Sequence, residues 1–556
     1  MREGNGLSGI GHSTTTTAVS GDASIDGILA LKHWADSSLS YSLPTDSAEY
    51  GVDYGAAEDG GFFRATTAIA DATAFALDAD SGTAADDGFS VEGFTRLTVE
   101  PTTAGRAHIR VAQTSSDPFG YSTAWSYYPA GGAEEAGDAW LSDVVYDFTA
   151  PYPGGFARLT ILHEIGHALG LEHSHEKGAF GAVPSEYDAM EYSIMSYRSY
   201  PGATAAYYVN ERWSYAQSYM TLDIAALQHL YGADFSTNSD DTRYIWTPGS
   251  GQTLVNGDVA IRPAGNRIFA TVWDGGGTDT YVLRAYDTDL SVDLAPGAAS
   301  VFSRSQLAWL GEGPRAAGNI YNALLFEGDT RSLIENAIGG SGNDRLTGNQ
   351  ANNRLTGNAG DDVLVGLTGR DTLLGRTGDD TLRAGAGADL AKGGSGADRL
   401  LGQLGEDTLR GGNGRDTVYG KSGDDLAVGG AGNDALFGGK GNDVLIGGSG
   451  RDVMSGGQGA DVFRFSSCDD SPADAPGPDR ILDFTSGEDT IVLRGIYSGR
   501  LKFIGSDPFS GTEGELRSEV VGRTTLVSAD CDGDGARDFV LELLGRVDLT
   551  AHDFAL

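Results

Sequence analysis

Three hydrophobic patterns divide the chain. Between Phe156 and Leu169, the apolar residues Leu159, Leu162, Ile165 and Leu169 recur at steps of three and four, which predicts a helix with one core-facing stripe. Leu222, Ala226, Leu227 and Leu230 repeat that spacing and predict a helix over 222–232 closed by Gly232. Residues 62–78 are alanine-rich without glycine or proline and read as another helix. Alternation at His108–Ala112 predicts a strand, and 121–128 and 138–141 are aromatic strand candidates. From 339 to 465 neither period holds.

There, one motif returns every nine residues. Aspartate stands at Asp344, Asp362, Asp371, Asp380, Asp389, Asp398, Asp407, Asp416, Asp425, Asp434, Asp443, Asp452 and Asp461, and Asn353 alone breaks the series. Glycine sits two residues before each, with Ala351 the exception, and a mainly apolar residue two after, from Leu346 to Phe463. A glycine-aspartate nonapeptide of this kind reads as a parallel β-helix whose turns bind calcium, two repeats to a coil. Without the cation, aligned carboxylates repel and a thin leucine core cannot offset the ordering entropy of so much glycine. Asn349, Asn358, Leu367, Arg376, Gln403 and Lys421 replace the second glycine of the pair, so calcium is less assured at those turns.

Composition adds limits. The 556 residues allow several domains. The net charge of −40 repels nucleic acid and anionic membranes, so neither is an expected partner. No apolar run reaches transmembrane length, and 1–27 carries no signal-peptide core. Residues 1–25, with the run Thr14–Thr17, read as a flexible leader. The two cysteines, Cys468 and Cys531, exclude a disulfide scaffold and leave open whether they pair. His33 and His229 read as surface or packing residues.

Chemistry concentrates at His163-Glu164-Ile165-Gly166-His167. On a helix His163 and His167 share one face, one turn apart, and Glu164 points toward the same cavity. Gly170 can end the helix at positive φ, returning His173 as a third ligand. Three histidines leave an open position on zinc, the mark of a catalytic site. Glu172 and His175 read as solvated neighbours. Downstream stands Ser193-Ile194-Met195-Ser196-Tyr197. Asp274 and Asp279, in a glycine-rich turn, suit calcium, or else form a plain hairpin. Asp530, Asp532, Asp534 and Asp538 have the acid spacing of a calcium loop but also fit an acidic hairpin.

The extended histidine motif with a methionine turn is the metzincin pattern, and with the repeat tail it resembles the serralysins. That resemblance implies an α+β protease domain, then a calcium-bound parallel β-roll and a C-terminal β-strand cap. The corresponding divisions are a leader or propeptide at 1–25, protease at 26–240, β-rich junction at 241–338, roll at 339–465 and cap at 466–556. It implies Glu164 as general base, Met195 as a packed floor, and Tyr197 as a zinc ligand at rest that swings to the oxyanion. Asp274, Asp279 and Glu335 become junction calcium ligands. The implied cofactors are one catalytic Zn2+ and several structural Ca2+. The implied partners are polypeptides bound extended along the edge strand near Ser122–Tyr127, an ABC-type export channel, and a small protein inhibitor. The end Asp553-Phe554-Ala555-Leu556 resembles the family's uncleaved export signal, so a monomeric extracellular endopeptidase is expected. Two other classes compete: a calcium-dependent adhesion protein, which needs no Glu164, and a lipase with the same glycine-aspartate (RTX) repeat tail, for which no G-x-S-x-G exists.

Overall fold

The computed structural model describes residues 12–50, 61–103, 105–120, 122–473 and 477–556. The chain divides into two compact units, 1–285 with 294–334, and 286–293 with 335–556.

In the first unit, β1 (Thr14–Thr16) pairs antiparallel with β2 (Lys32–Trp34). The threonine run expected as linker is thus a strand, as β-branched residues favour; residues 1–11 of the leader lie outside the described set. A six-stranded sheet combines β3 (Ser38–Ser42), β4 (Phe62–Phe63), β5 (Thr98–Pro101), β6 (Ile109–Thr114), β7 (Ala124–Ser126) and β8 (Asp138–Ser142). Its order is β5-β3-β6-β8-β7, with β4 on β6; β7 is an edge, antiparallel to β8. Across β6 and β8 the fully buried pair Arg110 and Asp138 makes two 2.7 Å hydrogen bonds, so neither charge is left uncompensated.

The helix expected at 62–78 starts only at Thr67, because Thr66 caps it by accepting from the Ile69 N–H and Phe62–Phe63 joins the sheet. The 121–128 strand is confined to β7, and Tyr121 lies outside the described residues. The other two expected helices span Phe156–Leu169 and Thr221–Tyr231, and two single-turn helices occur at Ala23–Asp26 and Val91–Phe94. Every residue from Ala157 to Leu169 is buried, not just one stripe, because the helix packs on β7, β8 and helix Thr67–Leu77 while later segments cover its other side. Phe269, Trp273 and Tyr321 join this core.

In the second unit, six-residue strands recur every nine residues and alternate between two parallel sheets, so pairing partners lie eighteen apart, as in Leu355↔Leu373 and Leu364↔Leu382. The apolar row from Leu346 to Phe463 is fully buried. Ser291–Asp293 pairs with Arg345–Thr347 and supplies a strand before the first repeat. At the far end Asp479–Ile481 and Thr490–Val492 continue the two sheets. A three-stranded antiparallel meander of Glu515–Val521, Thr524–Asp530 and Phe539–Leu544 follows, and Phe554–Ala555 pairs with the strand at 491–492. Among the described residues, no helix is long and apolar enough to cross a membrane.

Candidate metal centre and active site

Helix geometry sets His163 and His167 one turn apart, with ring centroids 4.7 Å from each other. Gly170, at φ 104°, ends the helix and reverses the chain, a conformation that penalises any side chain. His173 returns with its ring 4.5 Å from His167 and 5.2 Å from His163. Nδ1 of His163 lies 2.8 Å from the Ile194 carbonyl, and Nδ1 of His167 2.7 Å from the Leu171 carbonyl. A carbonyl only accepts, so each Nδ1 carries the proton and each Nε2 presents a lone pair. Nδ1 of His173 faces Glu176 at 3.3 Å, to the same effect.

Burial, with mutual repulsion among the imidazoles, lowers His163 to about 3 and His173 to about 4, and holds His167 well below its ordinary value. The rings are therefore neutral. Nε2 of His167 and of His173 stand 3.0 Å apart, and the buried Nε2 of His163 has no hydrogen-bond partner. Lone pairs converging in this way repel unless a cation lies among them. The donor set fits zinc, with all three nitrogens within 4.8 Å of one another.

Glu164 is buried beside them, its Oε2 without a hydrogen-bond partner, and burial pushes its carboxyl up to about 8. The Tyr197 ring lies 4.5 Å from His173 and 5.5 Å from His163, and burial, then the Glu164 charge, raises its phenol. Met195 is fully buried beneath the helix; a Cβ on Gly166 would come within 2.8 Å of its sulfur, which accounts for the glycine inside the motif. A cavity of about 550 Å³ opens here, lined by His163, Glu164, Tyr197 and the 122–124 segment leading into edge strand β7, with Tyr146, Phe156, Tyr208, Tyr215 and Arg212 as walls. Glu172 and His175 are half-buried, contrary to the solvated reading, because the reversal at Gly170 folds them inward. The His175 ring packs 5.1 Å from Tyr197.

Two positioning carboxylates escaped the sequence reading. Asp188 accepts from the Ser174 and Ser196 hydroxyls at 2.6 and 2.7 Å and from Arg198 at 2.8 Å, tying the segment after His173 to the methionine turn. Asp223 accepts from the Ser193 hydroxyl and the Ile194 and Met220 N–H groups.

In the second unit, each repeat aspartate from Asp362 onward accepts through Oδ1 the N–H of the residue one coil earlier, as Asp362 does from Asp344 at 2.8 Å; that residue is an aspartate except at Asp371, which accepts from Asn353, while Asp344 accepts from the Leu290 N–H. From Asp362 through Asp452, Oδ2 of every predicted aspartate is buried without a hydrogen-bond partner. Burial pushes Asp362 up to about 8 and Asp380 and Asp434 to about 7; the N–H each accepts opposes this, and aspartates one coil away add to it. Rows of unpaired carboxylate oxygens fit a hard cation such as calcium. The rows extend to residues the nonapeptide did not include: Asp479 accepts from Asp452 at 2.7 Å and Asp489 from Asp461 at 3.0 Å. At the first coil, Oδ2 of Asp344 instead accepts the Gly340 N–H at 2.7 Å. Asn353 satisfies itself, accepting from Asn349 N–H and donating to the Glu335 carbonyl.

Asp274 and Asp279 lie in the first unit, where they accept from the Tyr244 hydroxyl and the Thr242 N–H; Glu335 belongs to the second. Asp530 and Asp538 close the hairpin tip by accepting its own N–H groups, and Cys468 and Cys531 form a disulfide.

The chain resembles serralysin from Proteus mirabilis, 35% identical over 243 residues, 42% of this chain and 44% of that protein. Against metallopeptidase AprA from Pseudomonas marginalis it is 32% identical over 258 residues, 45% of this chain and 50% of that one. The chain thus spans about half the length of the curated relatives it matches. A solution structure, the AlgE6R2 subunit of a mannuronan C5-epimerase from Azotobacter vinelandii, aligns over 31% of this chain and 91% of that one at 30% identity, with a TM-score of 0.20. The family described as peptidase M10 serralysin C terminal matches residues 233–556, more than half of the chain, and the chain belongs to that serralysin family.

Proposed function

We propose that the chain is a secreted, zinc-dependent endopeptidase whose calcium-dependent tail serves folding and export. The observation that carries this reading is the convergence of three neutral imidazoles, each Nδ1 facing a fixed acceptor, beside the buried, unpaired Glu164. Zinc held by His163, His167 and His173 would polarise a scissile carbonyl and acidify a water. Glu164, buried beside these ligands with its Oε2 unpaired, would take that water's proton and hand it to the leaving amine. The Tyr197 hydroxyl, at the cavity wall, would donate to the oxyanion. The free edge of β7 would pair with an extended polypeptide.

The unpaired carboxylate rows support a roll that stays unfolded in low cytosolic calcium, passes an ABC-type channel and folds outside. The disulfide supports the same address, since such bonds persist in oxidising compartments. The test is Glu164→Gln: zinc content by atomic absorption should stay near one per chain while casein hydrolysis is nearly abolished. Full turnover in the zinc-loaded variant would remove Glu164 from the chemistry.

A further inference from the structure

Charge in the β-roll is segregated in a way the net −40 conceals. Every charged side chain on the strands between Arg345 and Arg464 is Lys or Arg; all carboxylates sit in the turns. On one sheet, Leu401, Tyr419, Phe437 and Ser455 align in register along the roll. Tyr419 and Phe437 stack with centroids 5.0 Å apart and planes within 12°. The Arg399 guanidinium lies 4.7 Å and the Lys421 ammonium 4.9 Å from the centroid of the Tyr419 ring. The stack stops at Ser455, the next residue of the row. A cavity of about 320 Å³ lies alongside the stacked pair, bounded by Tyr419, Phe437, Lys421, Lys440 and Gln458. Arg399, Lys421 and Lys440 form no ion pair among the described residues. Beyond Ser455, Asp483 is taken up by the Ser455 hydroxyl and two backbone N–H groups, so the cationic end of the slot is the lysine end. Lys421 holds φ 86°, and Asn358, Leu367, Arg376 and Gln403 hold similar positive values at the same place in their repeats, a conformation that glycine adopts without strain.

We infer that this slot is a binding site for an acidic polysaccharide of the polyuronate class. An aromatic face matches the apolar face of a pyranose ring, and the Lys421 and Lys440 ammonium groups lining the same cavity match its carboxylates. Duplex DNA offers no exposed ring to continue the stack, and its dense charge meets the strongest repulsion from the acidic remainder of the chain.

The test uses full-length protein with calcium in excess, titrated calorimetrically with a short oligogalacturonate, a neutral malto-oligosaccharide and duplex DNA. The oligogalacturonate should bind, more weakly as salt rises, and the neutral sugar should bind at least about tenfold less tightly. Phe437→Ser and Lys421→Gly should each lower affinity about tenfold. Lys421→Gly installs the residue that the backbone favours there, so its melting temperature should not fall, and lost binding cannot be lost folding. No oligogalacturonate binding, equal binding of the neutral sugar, tighter binding of DNA, or unchanged affinity in Lys421→Gly would each overturn the assignment.

Discussion

Asp223 acts on His163, a proposed zinc ligand that it does not touch. Its carboxylate fixes the Ile194 N–H, and the Ile194 carbonyl fixes Nδ1 of His163. Replacing it with alanine strands the Ser193 hydroxyl and two buried N–H groups, at a cost of about 2–4 kcal/mol. Zinc affinity of Asp223→Ala should fall about 10- to 100-fold, measured by chelator competition, because the ring loses its orientation. Unchanged affinity in a folded variant would reduce Asp223 to packing. Tyr197→Phe isolates one hydroxyl: kcat should fall roughly 10- to 1,000-fold with KM little changed, if it serves the transition state. An unaltered kcat would return the ring to the wall of the cavity. The three histidines and Glu164 were legible because their spacing lies within a helix and one turn. Asp188 and Asp223 were not, since they meet their partners across up to 30 residues of chain that must fold first.

At the scale of elements, the repeat was legible because one nonapeptide states its own register, apolar row and acidic row at once. Its continuation was not: Asp479 and Asp489 follow their partners by 27 and 28 residues instead of 18, so insertions hide the phase while the ladder persists. The central helix taught the opposite lesson. Its apolar stripe predicted its limits, yet not its complete burial, which depends on segments arriving from elsewhere. Gly166 measures how tightly they arrive. Gly166→Ala improves intrinsic helix propensity by about 1 kcal/mol, but the added methyl would lie 2.8 Å from the Met195 sulfur. Overpacking of about 1–3 kcal/mol should win, lowering the melting temperature of the zinc-loaded protein. A raised melting temperature would mean that Met195 yields freely.

For the molecule as a whole, the division into units does not follow the order of the chain. Residues 286–293 belong with the roll, although residues of the first unit flank them on both sides. The Leu290 N–H donates to Asp344 at 2.9 Å, and Ser291–Asp293 pairs with the first repeat strand, so this short segment shares the fate of the aspartate rows. If calcium fills those rows as proposed, removing it leaves buried, mutually repelling carboxylates, and affinities of about 10⁻⁴ to 10⁻³ M for extracellular modules place the transition within reach of a chelator. Hydrogen exchange on the full chain with chelator in excess should show amides of 345–464 losing protection together. Amides of the helices at 156–169 and 221–231 should keep theirs. The discriminating peptide is 286–293: it should open with the roll, while 270–272 and 320–322, strands of the first unit on either side in sequence, stay closed. If 286–293 remained protected while the repeats exchanged, the roll would not depend on that strand; if the repeats themselves kept their protection, the unpaired rows would not need calcium, and the export argument would lose its physical basis.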